Sequence, residues 1–168
     1  MIHIYTGDGK GKTTVAVGLA VRMAGHGRNK ILFVQFLKGS YTGELKMLEA
    51  AHNITVMRCD KNYGFFDKMS EGEKRDITAS HNKNLDFVLS HMNDYDMIVL
   101  DELFVALGYG LADLETVKRI VRTYSGELVM TGRNPDEWFL KKADYISEIK
   151  NVRHPYDKGV AAREGIEY

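Results

Sequence analysis

Apolar positions in this chain follow two rhythms that take turns. Short, nearly continuous apolar runs fill 2–5, 31–36, 54–57 with an extension toward 59, 97–100, 127–131 and 145–149. Dense runs of that length are what strands of a parallel sheet covered on both faces require. Between them apolar residues recur every three or four positions, the period of a helix with one buried face. Ala16, Leu19, Ala20, Met23 and Ala24 set the first such stretch, and Gly25 and Gly27 close it where a left-handed cap is wanted. Leu45 and Leu48 are the inward positions of a short helix over 44–51. Ser70, Glu71, Gly72 and Glu73 have the form of a capping box and open a long helix carrying Ile77, Leu85, Val88, Leu89 and Met92. A short helix and turn fit 103–111, and a helix over 113–124 turns Leu114, Val117, Ile120 and Val121 inward. Asn134 as cap, Pro135 at the first helical position and Glu137 at the third start one more short helix.

This alternation, with no internal repeat, predicts an α/β fold: a doubly wound, mainly parallel sheet. A chain of 168 residues, 44% of them hydrophobic, has the material for one core, so a single domain over 1–168 is expected. Lys plus Arg equals Asp plus Glu at 23 each, and a formal charge of zero leaves no chain-wide field to draw nucleic acid or an anionic membrane. Cys59 is the one cysteine, which excludes an internal disulfide and fits a reducing compartment. The chain enters its first strand without a charged leader, and no apolar run approaches membrane-spanning length. A soluble, cytoplasmic protein that binds neither nucleic acid nor membrane is therefore expected.

Chemistry concentrates between the first strand and the first helix, in Thr6-Gly7-Asp8-Gly9-Lys10-Gly11-Lys12-Thr13-Thr14. Alternate glycines let the backbone turn tightly and bring N–H groups against phosphate oxygens, while the helix opening at Thr13 aims its positive end at the same anion. Lys12 would reach the outer phosphates, Thr13 would offer its hydroxyl to a magnesium ion, and Thr14 adds a second hydroxyl or caps the helix. The pattern departs from the usual P-loop: Thr6 stands where the first glycine is expected, and Lys10 is an additional cation.

A second motif ends the fourth run. Asp101 and Glu102 follow the apolar residues 97–100 directly, where P-loop proteins hold magnesium, although such a pair can instead cap the next helix. Gln35 is the polar exception in the second strand, near the carboxyl end where open α/β sheets bind ligands; a structural amide is the alternative. Arg133 sits just past the fifth strand at the same edge, which favours a phosphate contact over a plain surface arginine. The segment 60–68 sets Tyr63, Phe65 and Phe66 around Gly64, and from composition these aromatics fold back onto the core. His81 and His91 are spaced too far apart for a helical metal site and read as surface or lightly packed histidines. The polar and small residues of the tail suggest an ordered extension over the sheet.

At this level of detail the chain resembles the ATP:corrinoid adenosyltransferases of the P-loop type, also called cob(I)alamin adenosyltransferases. The resemblance is carried by the loop Gly7 to Thr14 with its additional lysine, by Val34-Gln35-Phe36-Leu37-Lys38-Gly39, Leu100-Asp101-Glu102-Leu103 and Thr131-Gly132-Arg133, and by the tail. In the tail it rests on Val152-Arg153-His154-Pro155, Gly159 and Gly165-Ile166-Glu167-Tyr168. It implies a P-loop NTPase fold of the RecA-like kind and transfer of the 5′-deoxyadenosyl group of ATP to the Co(I) centre of a reduced corrinoid, releasing triphosphate. It further implies Lys12 and Arg133 as catalytic groups, with Gly7, Asp8, Gly9, Lys10, Gly11, Lys12, Thr13, Thr14, Gln35 and Arg133 holding ATP. Thr13, Asp101 and Glu102 would serve Mg2+ or Mn2+, and Phe65 and Phe66 would touch the corrinoid. An electron donor for Co(II) reduction and a homodimer belong to the same expectation. The alternatives are a P-loop ATPase or small-molecule kinase, in which Glu102 orients water or an acceptor hydroxyl, and a nucleotide-binding regulatory module without turnover.

Overall fold

The computed structural model describes residues 1–59, 61–64 and 66–167. Six strands, β1 (Ile2–Thr6), β2 (Ile31–Gln35), β3 (Ile54–Arg58), β4 (Met97–Asp101), β5 (Glu127–Thr131) and β6 (Tyr145–Glu148), form one sheet in the order β3-β2-β4-β5-β1-β6. Every pairing is parallel. Helices α1 (Lys12–Ala24), α2 (Glu44–Ala50), α3 (Glu71–His91), α4 (Leu103–Gly108), α5 (Leu114–Thr123) and α6 (Glu137–Leu140) flank it. This is the doubly wound α/β architecture that the alternating rhythms require.

The continuous apolar runs are explained by the two faces of the sheet. All five residues of β2 and of β4 are buried. Leu32, Val34, Ile98 and Leu100 face a core shared with Leu85 and Val88 of α3, Leu103 and Phe104 of α4 and Val117 and Ile120 of α5. Ile31, Phe33, Met97 and Val99 face the other way, toward Ala16 and Ala20 of α1 and Leu48 of α2. Successive strand residues point to opposite faces, so a strand coated on both sides is apolar along its length, and the polar residues Gln35 and Asp101 stand only at the carboxyl ends of β2 and β4. Each fully buried aliphatic side chain contributes roughly 1.5–3 kcal/mol. The edge strand β6 is exposed at all four residues.

Local chemistry sets the helix ends. Ser70 and Glu73 form the capping box: the Ser70 side chain accepts from the Glu73 N–H while the Glu73 carboxylate accepts from the Ser70 N–H at 2.8 Å. Asp113 caps α5 by accepting from the Thr116 N–H at 2.7 Å.

Three sequence expectations are corrected. Leu114 is 41% exposed, because it occupies the first turn of α5, ahead of the stripe Val117, Ile120, Val121 that packs inward. Asp136, not Asn134, caps α6 by accepting from the Trp138 N–H, while Asn134 adopts a left-handed φ of 51°. His81 is fully buried, where a polar ring has to be paired on both nitrogens. Its Nε2 accepts from the Leu37 N–H at 3.1 Å and its Nδ1 pairs with the Leu111 carbonyl at 2.9 Å.

Candidate active site

The strand order sends the chain from β1 across two strands to β2 and back to β4 and β5, so the carboxyl ends of β1, β4 and β5 meet at a switch point. A cleft of about 1070 Å³ opens there, lined among others by Gly9, Lys12, Thr13, Lys38, Glu102 and Arg133. The phosphate loop forms one wall. Gly11 at φ 118° turns the chain into α1, and a side chain at Gly7 or Gly9 would strike the Ile149 backbone, to which the Gly9 N–H donates at 2.8 Å.

Lys12 is 6% exposed and its ammonium curls back on the loop, donating to the carbonyls of Gly7 at 2.9 Å and Gly9 at 2.8 Å. Burial holds this ammonium below the ordinary lysine range, against the pull of the nearby Glu102 carboxylate. Two backbone carbonyls thus hold a cation, with the Glu102 charge nearby, where phosphate oxygens would compete for it.

Asp101 forms the floor. It is fully buried, and each carboxylate oxygen is paired. Oδ1 accepts from Thr131 Oγ1 at 2.8 Å and from Thr13 Oγ1 at 3.0 Å; Oδ2 accepts from Lys38 Nζ at 3.0 Å. Lys38 also donates to Thr13 Oγ1 at 3.0 Å. The Lys38 ammonium therefore sits between the hydroxyl of Thr13 and the buried carboxylate of Asp101, two oxygen donors of the kind a hard cation takes. Glu102 follows with a left-handed φ of 60°, stabilised by its N–H donating to Thr131 Oγ1 at 2.9 Å. Burial, then the Asp101 carboxylate beside it, pushes the Glu102 carboxyl above the ordinary range.

Arg133 is exposed at the cleft, with Gly132 at φ 140° ahead of it packed so closely on Phe104 that a Cβ would stand 2.8 Å from that residue's own. Asp8, Lys10 and Thr14 are also exposed and line the cleft. Gln35 is fully buried one step outside it: Nε2 donates to Glu44 Oε1 at 3.3 Å, and Oε1 has no partner among the described residues. Phe66 stands apart from the cleft lining, stacked on Tyr109 at 4.1 Å and covered by the Lys74 ammonium at 4.8 Å. It packs, as does Tyr63, on a small cluster of Met69, Ile77 and Leu111. Phe65 lies outside the described residues.

Lys38, Thr131, Glu44 and the tail join the site beyond the residues expected there. Thr131 carried a usable signal, a hydroxyl closing an apolar strand. The tail crosses the phosphate loop rather than the sheet: the Asn151 N–H donates to Asp8 Oδ1 at 3.0 Å, and Lys10 pairs with Glu167 at 2.7 Å. Arg163 and then Lys10 hold the Glu167 carboxyl down to about 2.

A family model for the ATP:corrinoid adenosyltransferases BtuR/CobO/CobP matches residues 1–168. The chain is 35% identical over 175 residues to the corrinoid adenosyltransferase CobA of Salmonella typhimurium, an alignment covering 100% of this chain and 85% of the relative. The corrinoid adenosyltransferase of Escherichia coli K12 is 35% identical over 173 residues at the same coverage, and that of a Sinorhizobium species is 30% identical over 175 residues, with 80% of the relative covered. With its whole length matched and its loop, floor and tail converging on one cleft, this chain belongs to the ATP:corrinoid adenosyltransferase family of transferases.

Proposed function

We propose that the domain formed by residues 1–168 transfers the 5′-deoxyadenosyl group of ATP to the Co(I) centre of a reduced corrinoid and releases triphosphate. The observation that carries this reading is the cation-rich pocket of Lys12, Lys10, Lys38 and Arg133 against a buried carboxylate, in a chain whose full length matches the family. Co(I) supplies the electron pair that forms the cobalt–carbon bond at the ribose 5′ carbon. The carbon–oxygen bond breaks, and its electron pair leaves on the bridging oxygen of triphosphate. No side chain has to act as nucleophile or as base toward water. The protein's task is to hold the leaving group and neutralise the charge that grows on it, a role for Lys12, Lys10, Arg133 and the loop N–H groups.

Thr13 and Asp101 would hold Mg2+ or Mn2+, with Glu102 beside them, and phosphate and water oxygens complete a hard cation's shell. When bound, that metal supplies charge neutralisation on the triphosphate. Gln35 would steady the wall through Glu44 rather than touch ATP. The aromatic segment with Phe65 and Phe66 would receive the corrinoid, with the exposed Tyr109 extending the stacked surface of Phe66. A homodimer, an external electron donor for Co(II) and a cytoplasmic location complete the proposal; among the described residues no helix is long and apolar enough to cross a membrane.

The test is anaerobic incubation with ATP, magnesium and chemically reduced corrinoid. A light-sensitive adenosylcorrinoid, with ATP consumed only when corrinoid is present, supports the reading. ATP consumption to ADP and phosphate without corrinoid would return the protein to the P-loop ATPases and kinases.

A further inference from the structure

We propose that Lys38 is the interim occupant of the cation seat: its ammonium neutralises Asp101 until a divalent cation arrives with a nucleoside triphosphate, and then moves to Glu44. This rests on the reading that the cleft takes a metal–nucleotide complex.

Hydrogen-bond directions at the floor are over-determined. Thr131 Oγ1 accepts the Glu102 N–H, so its single proton goes to Asp101 Oδ1. Thr13 Oγ1 accepts from Lys38 and gives its own proton to Asp101. The ammonium thus uses an oxygen lone pair of Thr13 and an oxygen of Asp101, the same atoms a divalent cation would draw on. A hard cation sits about 2.0–2.6 Å from its oxygen ligands, so both cations on the same hydroxyl would stand within a few ångströms of each other in a poorly screened place. One has to leave.

Lys38 has somewhere to go. Its side chain is 23% exposed, whereas that of Asp101 is fully buried, and Glu44 Oε1 is 3.7 Å from the ammonium. Burial pushes the Glu44 carboxyl up, yet hydrogen bonds from its own N–H and from the Gln35 amide, with the Lys38 charge, hold it below the ordinary range on balance. Gln35 flanks the same carboxylate oxygen, and the Gln35 Oε1 has no partner among the described residues, so the second seat has an acceptor to spare. The backbone that carries Lys38 stays fixed meanwhile: Leu37, at a left-handed φ of 59°, is tied through its N–H to the buried His81 ring. Only the flexible lysine stem needs to swing.

Mn2+ binding by electron paramagnetic resonance, on the full chain with and without the β,γ-imido analogue of ATP, tests this apart from turnover. Lys38→Gln is expected to bind Mn2+ without nucleotide at least tenfold more tightly than the wild type, and to show a lowered melting temperature that Mn2+ restores. Glu44→Gln, at a partly exposed position, is expected to weaken Mn2+ binding in the presence of the analogue several-fold, because the displaced ammonium loses its second seat. It decides the matter should Lys38→Gln not fold. Unchanged or weaker Mn2+ binding by Lys38→Gln, or unchanged binding by Glu44→Gln, overturns the exchange. If the wild type binds Mn2+ with the analogue while neither variant shifts the affinity, only the Lys38 proposal fails. If the wild type binds no Mn2+ even with the analogue, the metal–nucleotide reading fails with it.

Discussion

The floor and the rim of the cleft are built on opposite principles. The floor, Asp101 with Thr13, Thr131 and Lys38, joins the ends of β4 and β5 to α1 and the loop after β2, and its central carboxylate is wholly removed from water. The rim is the tail, residues 150–167, mostly exposed and held to the phosphate loop by Asn151 on Asp8 and Glu167 on Lys10. A buried, fully paired charge network loses a great deal when one member goes, because the rest are left unpaired. An exposed ion pair loses little, because water and salt replace it. The floor is thus suited to positioning chemistry, whereas the contacts of the rim can be removed one at a time at little cost.

The largest consequence is expected at the loop wall. Lys12→Ala removes the ammonium poised on Gly7 and Gly9, and should lower the rate of adenosyl transfer by about 10²–10³-fold, measured with corrinoid saturating. A loss of tenfold or less would make Lys12 a loop-shaping residue only. Next comes the floor itself. Asp101→Asn should weaken metal–nucleotide binding by about 10–100-fold in calorimetric titration; unchanged affinity would break the assignment of the floor as the cation seat.

The support beneath the floor should respond to pH. Burial holds the His81 ring below the ordinary histidine range, with the Leu111 carbonyl acting against it. A histidine depressed in the folded state binds its proton more readily when unfolded, so its contribution is complete above about pH 6.5. That contribution is lost as the pH falls below it. Denaturation midpoints should therefore fall on acidification more steeply for the wild type than for His81→Gln. The variant should itself be about 1–3 kcal/mol less stable near neutrality, through the orphaned Leu37 N–H. Equal slopes for the two proteins would remove His81 from the account.

The smallest effect belongs to the rim. Glu167→Ala should change the KM for ATP by no more than about fivefold, and less at high salt. A loss comparable to that of Asp101→Asn would erase the distinction between floor and rim.

How legible this was depended on whether a residue's role is local. The strands and the long helices were readable because apolar period reports burial directly, as in β2 and β4. The tight turn from β1 into α1 was readable because its alternate glycines and the helix that follows Lys12-Thr13 are encoded in adjacent positions. His81 was not, since nothing near it in sequence announces that Leu37 and Leu111, 44 and 30 residues away, will close on its two ring nitrogens. Lys38 escaped for the same reason: its meaning depends on Asp101, 63 residues distant. Asn134 misled because an Asn before a proline looks like a cap, while Asp136, closer to the first helical turn, competes for that position and takes it.

On the proposed function, the cleft holds triphosphate as a leaving group. ATP carrying ¹⁸O in the bridging 5′ oxygen, turned over with Co(I) corrinoid, tests it directly by ³¹P NMR. The account predicts intact triphosphate with the label retained on its terminal phosphorus, because the bond broken is that between carbon and oxygen. Formation of ADP, with the label still joining phosphorus to the ribose, would contradict it.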